Sequence, residues 1–249
     1  MSQNNLIKDL EKILDEIGLT IEDENGAIQT PSSNYSLAKQ IFKNKNVLVP
    51  FLIDAALRIK DGMEKFEYEM LDMRDKGILQ QFLNNLQEKG LISNYSLPNE
   101  GKSYKIDFGH DNVKRRFFRS DWAEQCFRYA IMNVVQPFCS GRAKPLSHKV
   151  MQNVELKRKN EKNIFTELDL VVQIENLFYI FEVKSGPWIR ILQWAKRENT
   201  FVYKDSPFRN VVCTVHDSIP PNIFEPQILW SLKDIQVKLL ELLKRDFPE

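Results

Sequence analysis

The sequence predicts a mixed α/β chain, with a helical domain over residues 1–109 and a domain over 110–249 built on a mixed central sheet flanked by helices. Three observations carry the prediction. The first ninety residues are dominated by apolar stripes of helical period. Two segments, 165–174 and 177–184, are dense in β-branched and aromatic residues and stand two residues apart. Charge divides in the same place: residues 1–109 hold 13 basic and 17 acidic groups, net −4, and residues 110–249 hold 22 and 17, net +5, within a formal total of +1.

With 249 residues, 43% hydrophobic and 28% charged, the chain can bury a core without disulfide staples. No run of about 18 apolar residues exists, so no membrane span is expected. Met1 to Lys12 has no basic stretch followed by an apolar block, so no secretory signal is read there. Cys126, Cys139 and Cys213 are odd in number and widely spaced, which makes neither a disulfide framework nor a zinc pattern and suits a reducing cytoplasm. His110, His148 and His216 include no His-x-x-x-His pair and give little support to zinc hydrolysis or a Ser–His–Asp triad.

Taken in order, Leu6, Leu10, Ile13, Leu14 and Ile17 form a helical stripe, and the polar stretch Glu22–Ser36 reads as loop. Helical patterns return at 37–43, 47–60 and 64–73. A further helix over 76–90 carries Ile78, Phe82, Leu83 and Leu86 and stops at Gly90. Leu91–Tyr95, a turn at 98–101 and Ser103–Phe108 then read as a hairpin. This helix–hairpin unit resembles a winged helix, but its candidate recognition helix is poor in Arg and Lys. Packing or dimerisation, and hence a homodimer, is as compatible with it as DNA reading.

From residue 110 the character turns basic: residues 110–162 hold 12 basic and 5 acidic groups, net +7. A helix is expected over 121–135. Lys157, Arg158, Lys159 and Lys162 lie at the tip between strands 150–156 and 164–173, where a solvated turn and a phosphate-contacting edge are both compatible. Beyond the central strands, Ser185-Gly-Pro187 opens a helix to about Glu198, with Pro187 at its first position. Arg190, Gln193 and Arg197 share one side of it. Trp188 and Trp194 are read as core. Phe208–His216 is a further strand, Gln227–Leu232 an edge strand and Lys233–Arg245 a closing amphipathic helix, with His216 structural.

Alternation along the central strands puts Glu167, Asp169, Val171 and Gln173 on one face, and Ile180, Glu182 and Lys184 on one face. If Glu175-Asn176 is the turn, Asp169 lies opposite Glu182, and Glu167 opposite Lys184. Opposed Cβ atoms are about 4.5–5.5 Å apart, where like charges repel. Within apolar strands the repulsion is removed by a hard divalent cation or by a shared proton on a raised carboxyl. Lys184 could steady an attacking water or the charge developing on a phosphate.

Asp169, then Glu182-Val-Lys184, within Glu167-Leu-Asp-Leu-Val-Val and Tyr179-Ile-Phe-Glu-Val-Lys-Ser-Gly186, resembles the PD-(D/E)XK motif of restriction-endonuclease-like nucleases, similar to resolvase-like and CRISPR-associated types. The resemblance covers about residues 115–245. The motif's Pro is absent, since Leu168 precedes Asp169. It implies a restriction-endonuclease-like sheet and a nuclease in which Asp169 and Glu182 bind Mg²⁺ or Mn²⁺ and Lys184 assists hydrolysis. The Val183 carbonyl would complete the ion's shell, and Glu167 is the reserve carboxylate. It also implies a helix Glu before the strands. Glu124 fits, on the stripe Glu124, Phe127, Ile131, Val134, although Glu three residues after Asp121 is equally a capping arrangement. The helix after Lys184 would contact the nucleic-acid backbone. Gln193 resembles a helix Gln of some branches, whereas Arg197 stands where their Tyr is expected.

The expected activity is metal-dependent hydrolysis of the phosphodiester bonds of DNA or RNA, as an endonuclease. The alternative is a nuclease-fold protein without catalysis that binds nucleic acid, or an interaction module held by a Glu167–Lys184 salt bridge. Some CRISPR-associated relatives carry a Rossmann-like sensor of cyclic oligonucleotides. Residues 1–109 are too short and too helical for one, and no such ligand is assigned.

Overall fold

The two central strands form and occupy the middle of a six-stranded mixed sheet. In this computed structural model the described residues are 12, 14–15, 19–21, 34–69, 72, 75–97, 103–109, 111, 115–158, 164–186, 207–216 and 228–249. Their elements, in chain order, are β1 (Leu19–Ile21), α1 (Tyr35–Lys43), α2 (Lys45–Lys60), β2 (Lys65–Glu69), α3 (Lys76–Glu88), β3 (Asn94–Ser96), β4 (Ser103–Asp107), a π-helical turn (Phe117–Asp121), α4 (Trp122–Ser140), β5 (His148–Arg158), β6 (Ile164–Ile174), β7 (Leu177–Lys184), β8 (Phe208–Thr214), β9 (Ile228–Ser231) and α5 (Ile235–Asp246). By packing the chain divides into one unit of Ser33–Tyr129 and another of residues 1–32 with Ala130–Glu249. The division falls within α4, downstream of the 109/110 boundary expected from charge.

The Ser33–Tyr129 unit is predominantly helical. Its three-stranded sheet has the order β2-β4-β3, antiparallel throughout. α1, α2 and α3 bury Leu37, Ile41, Phe51, Leu52, Phe82 and Leu86, and the stacked rings of Phe66 and Phe108 lie 5.0 Å apart. The helix expected over 64–73 is instead the strand β2. Lys65, Glu67 and Glu69 are exposed while Phe66 is buried and Tyr68 half-buried, a period of two that outweighs the helical reading. α3 ends as expected: Gly90 takes φ +67, its N–H donates to the Gln87 carbonyl, and that of Leu91 to the Leu86 carbonyl. These are the two bonds of a Schellman cap.

In the second unit the sheet order is β1-β5-β6-β7-β8-β9. β1, β5, β6 and β7 pair antiparallel, while β7, β8 and β9 pair parallel. β6 and β7 are joined by the two-residue turn Glu175-Asn176, with Glu175 at φ 50. The turn is tied down: the Glu175 carboxylate accepts the Ser147 N–H at 2.7 Å, and the Glu175 N–H donates to the Ser147 carbonyl at 3.0 Å. Phe178, Tyr179 and Phe181 are fully buried, each stabilising by roughly 1.5–3 kcal/mol on apolar transfer. α5 buries Ile235, Leu239, Leu242 and Leu243. Its Asp246 reaches the sheet, accepting from the Tyr179 hydroxyl at 3.0 Å and pairing with Arg209 at 3.3 Å. No described helix is long and apolar enough to cross a membrane.

Candidate active site

The turn sets the site. With two residues between the strands, Leu170 pairs with Phe181 and Val171 with Ile180, the register expected from the sequence. The ladder ends at Leu170–Phe181, and the next position outward carries Asp169 on β6 and Glu182 on β7. Freed from the ladder, β7 offers the Val183 N–H, which donates to Asp169 Oδ2 at 2.7 Å. Lys184 Nζ lies 2.5 Å from Glu182 Oε1 and 3.9 Å from Asp169 Oδ2. The three side chains are mostly sheltered, at 17% (Asp169), 14% (Glu182) and 27% (Lys184) exposure.

Shelter shapes the electrostatics. Burial pushes the Asp169 carboxyl above its ordinary value, and Lys184 and the Val183 N–H pull it part of the way back. Cys213, fully buried on β8 beside Val183, has its thiol raised well above its ordinary value, by burial first and then by Asp169 and Glu182. It is an inert buried thiol in the wall of the site. At the C-terminal end of the parallel pair, the His216 N–H donates to Thr214 Oγ1 at 3.2 Å. Its Nε2 lies 2.9 Å from the Gly186 carbonyl, which can only accept, so Nε2 carries the proton. His216 thereby joins the ends of β7 and β8.

Among the described residues no group of three His, Cys, Asp or Glu side chains gathers into a metal cage. The oxygens that converge are those of Asp169 and Glu182. This pair is a hard anionic donor set, of the kind Mg²⁺ and Mn²⁺ take with several waters retained. Glu124 is half-buried in the first turn of α4 and belongs to the Ser33–Tyr129 unit. Glu167 is exposed and opposes Glu155 of β5. It makes no ion pair with Lys184, which turns to Glu182 and Asp169 instead, so the anticipated Glu167–Lys184 bridge does not form. Lys157 is half-buried near the end of β5, opposite Thr20, and Arg158 ends that strand opposite Leu19. Lys159, Arg190, Gln193 and Arg197 lie outside the described residues, as does the helix expected after Pro187.

No family model matches the sequence, and no curated protein matches it. Solved structures do resemble the chain, among them the following two. Protein VC1899 from Vibrio cholerae is 17% identical with a TM-score of 0.56, over 96% of this chain and 61% of that one. Can2 from Sulfobacillus thermosulfidooxidans, solved in complex with cyclic tetra-adenylate, is 11% identical with a TM-score of 0.58, over 93% of this chain and 59% of that one. The chain therefore shares their mixed α/β fold and spans about three fifths of the length of each.

Proposed function

We propose that the chain is a metal-dependent nuclease of the PD-(D/E)XK type that hydrolyses phosphodiester bonds of DNA or RNA. One observation carries the reading: Asp169, Glu182 and Lys184 converge at the open end of the β6–β7 ladder, two carboxylates and an ammonium in one sheltered place. A protein gains little stability from such an arrangement, because burying like charges is costly. A phosphodiesterase has a use for all three.

Asp169 and Glu182, with the Val183 carbonyl, would hold Mg²⁺ or Mn²⁺, which when bound supplies charge neutralisation and Lewis acidity at the phosphate. The Val183 N–H fixes Asp169 through Oδ2. Lys184 Nζ, close to both carboxylates, is placed to orient the attacking water and to offset charge developing on the phosphate. Glu124 stands as a further proposed ligand and Glu167 as reserve. Lys157, Arg158, Lys159, Arg190, Gln193 and Arg197 are proposed to follow the nucleic-acid backbone. Residues 1–109 are proposed as a winged-helix-like part and 110–249 as the nuclease-like part, in a cytoplasmic homodimer. The cyclic tetra-adenylate of Can2 is not carried over, since the match spans only 59% of that chain.

The 2.5 Å Lys184–Glu182 contact favours one second reading. Lys184 could neutralise the carboxylates internally, leaving a nuclease-fold protein that binds nucleic acid without cutting it. Cleavage of labelled single- and double-stranded DNA and RNA with Mn²⁺, with chelator, and in Asp169→Ala and Glu182→Ala separates the two. Cleavage that needs the ion and both carboxylates supports the nuclease. Binding without cleavage in any condition supports the second reading.

A further inference from the structure

Asn153 is a backbone outlier in the middle of β5. Its φ is 50, a left-handed value that L-residues adopt at a cost and that Asn adopts more readily than most. The neighbours on either side keep their register, Gln152 with Leu170 and Val154 with Leu168, and both are buried. Asn153 is therefore held at the position opposite Asp169, and the distortion faces the one carboxylate that β6 contributes to the site. Strain of this kind persists where the surroundings over-determine it, and it gathers at functional sites.

The side chain is half-buried, and no hydrogen bond joins its carboxamide to another described residue. Flanking positions on β5 and β6 carry Glu155 and Glu167, so this end of the sheet is rich in carboxylates. A further acid here would repel a phosphate. An amide adds two N–H donors and no charge.

We infer that Asn153 is a substrate-binding residue of this site, its carboxamide donating to a non-bridging oxygen of the phosphate held beside Asp169. The inference rests on the nuclease reading and deepens it. Two variants of the full chain test it: Asn153→Gly, which accepts φ 50 without strain, and Asn153→Asp, which keeps the shape and replaces donors with charge. Labelled DNA and RNA oligonucleotides are titrated in Ca²⁺, Mn²⁺ binding is followed by calorimetry, and melting reports folding. Both variants are expected to bind oligonucleotide at least about tenfold more weakly, Asn153→Asp the more so, with Mn²⁺ affinity unchanged in Asn153→Gly and unchanged or raised in Asn153→Asp. Wild-type oligonucleotide affinity in a folded Asn153→Gly overturns the inference. So does a parallel loss of Mn²⁺ affinity, which would make Asn153 part of the ion's site. If the wild-type chain itself binds no oligonucleotide, the nuclease reading fails and this inference fails with it.

Discussion

Asp169 Oδ2 accepts the backbone N–H of Val183 at 2.7 Å, one position beyond the last rung of the β6–β7 ladder. The bond fixes the carboxylate with main chain, so its position does not depend on Glu182 or Lys184. Asp169→Asn keeps the acceptor through its amide oxygen and removes the charge that burial disfavours. The variant is expected to melt at or above the wild-type temperature without metal, and to lose both Mn²⁺ binding and cleavage. Calorimetric titration beside thermal melting checks this. A fall in melting temperature with Mn²⁺ affinity intact contradicts it.

Lys184 answers two carboxylates at once, at 2.5 Å and 3.9 Å. Lys184→Met keeps most of the stem and leaves Asp169 and Glu182 to repel each other. Cleavage is expected to fall by about 10²–10³-fold, the scale of losing one stabilising group at a developing anion. Mn²⁺ binding is expected to persist, because the ion takes over the neutralisation. Loss of metal binding in proportion to activity would show that Lys184 organises the carboxylates rather than the reaction.

The facing of Asp169 and Glu182 was legible because a two-residue turn leaves one register, and alternation then fixes which side chains share a face. What lay beyond the ladder was not. Capture of Asp169 by the Val183 N–H follows from pairing that stops at Leu170–Phe181, and no residue type announces that. For the same reason Lys184 turns to Glu182 and leaves Glu167 exposed opposite Glu155. Cys213 enters the wall through parallel pairing of β8 with β7, whose register no local turn sets. At β2 the sequence reads as helix because Phe66, Met70 and Met73 stand at i, i+4 and i+7, a helical stripe, while the alternation of Phe66 and Tyr68 spans only the five residues of the strand. The positive φ of Asn153 had only its residue type as a sign: Asn is depleted in strands and tolerates the left-handed region, but neither property fixes a conformation within the run Val150–Leu156.

Gly90 ends α3 at φ +67, and an added Cβ would meet no atom within 4 Å. Conformation, not space, therefore sets the effect of Gly90→Ala, at about 1–2 kcal/mol of destabilisation. Denaturant unfolding should show that loss. Gly90→Asn should recover part of the loss, because Asn tolerates the left-handed region. Equal losses in the two variants would mean that the cap geometry is not the cause.

Tyr179 lies on β7 with its hydroxyl 3.0 Å from Asp246 Oδ2, and Asp246 also pairs with Arg209. Burial, and then the Asp246 carboxylate, push the phenol well above its ordinary value, so the folded state holds the proton that the unfolded chain releases near pH 10. For a group whose folded value is raised, the stabilisation is complete below the unfolded value and is lost as pH rises past it. The wild-type chain is therefore expected to lose stability from about pH 10 upward, more steeply than Tyr179→Phe. At neutral pH, Tyr179→Phe should cost about 1–3 kcal/mol, because Asp246 loses a donor it accepts in a sheltered place. Urea unfolding of both proteins at pH 7 and above pH 10 gives the two numbers. Parallel alkaline slopes would mean that Tyr179 does not hold α5 to the sheet through its proton.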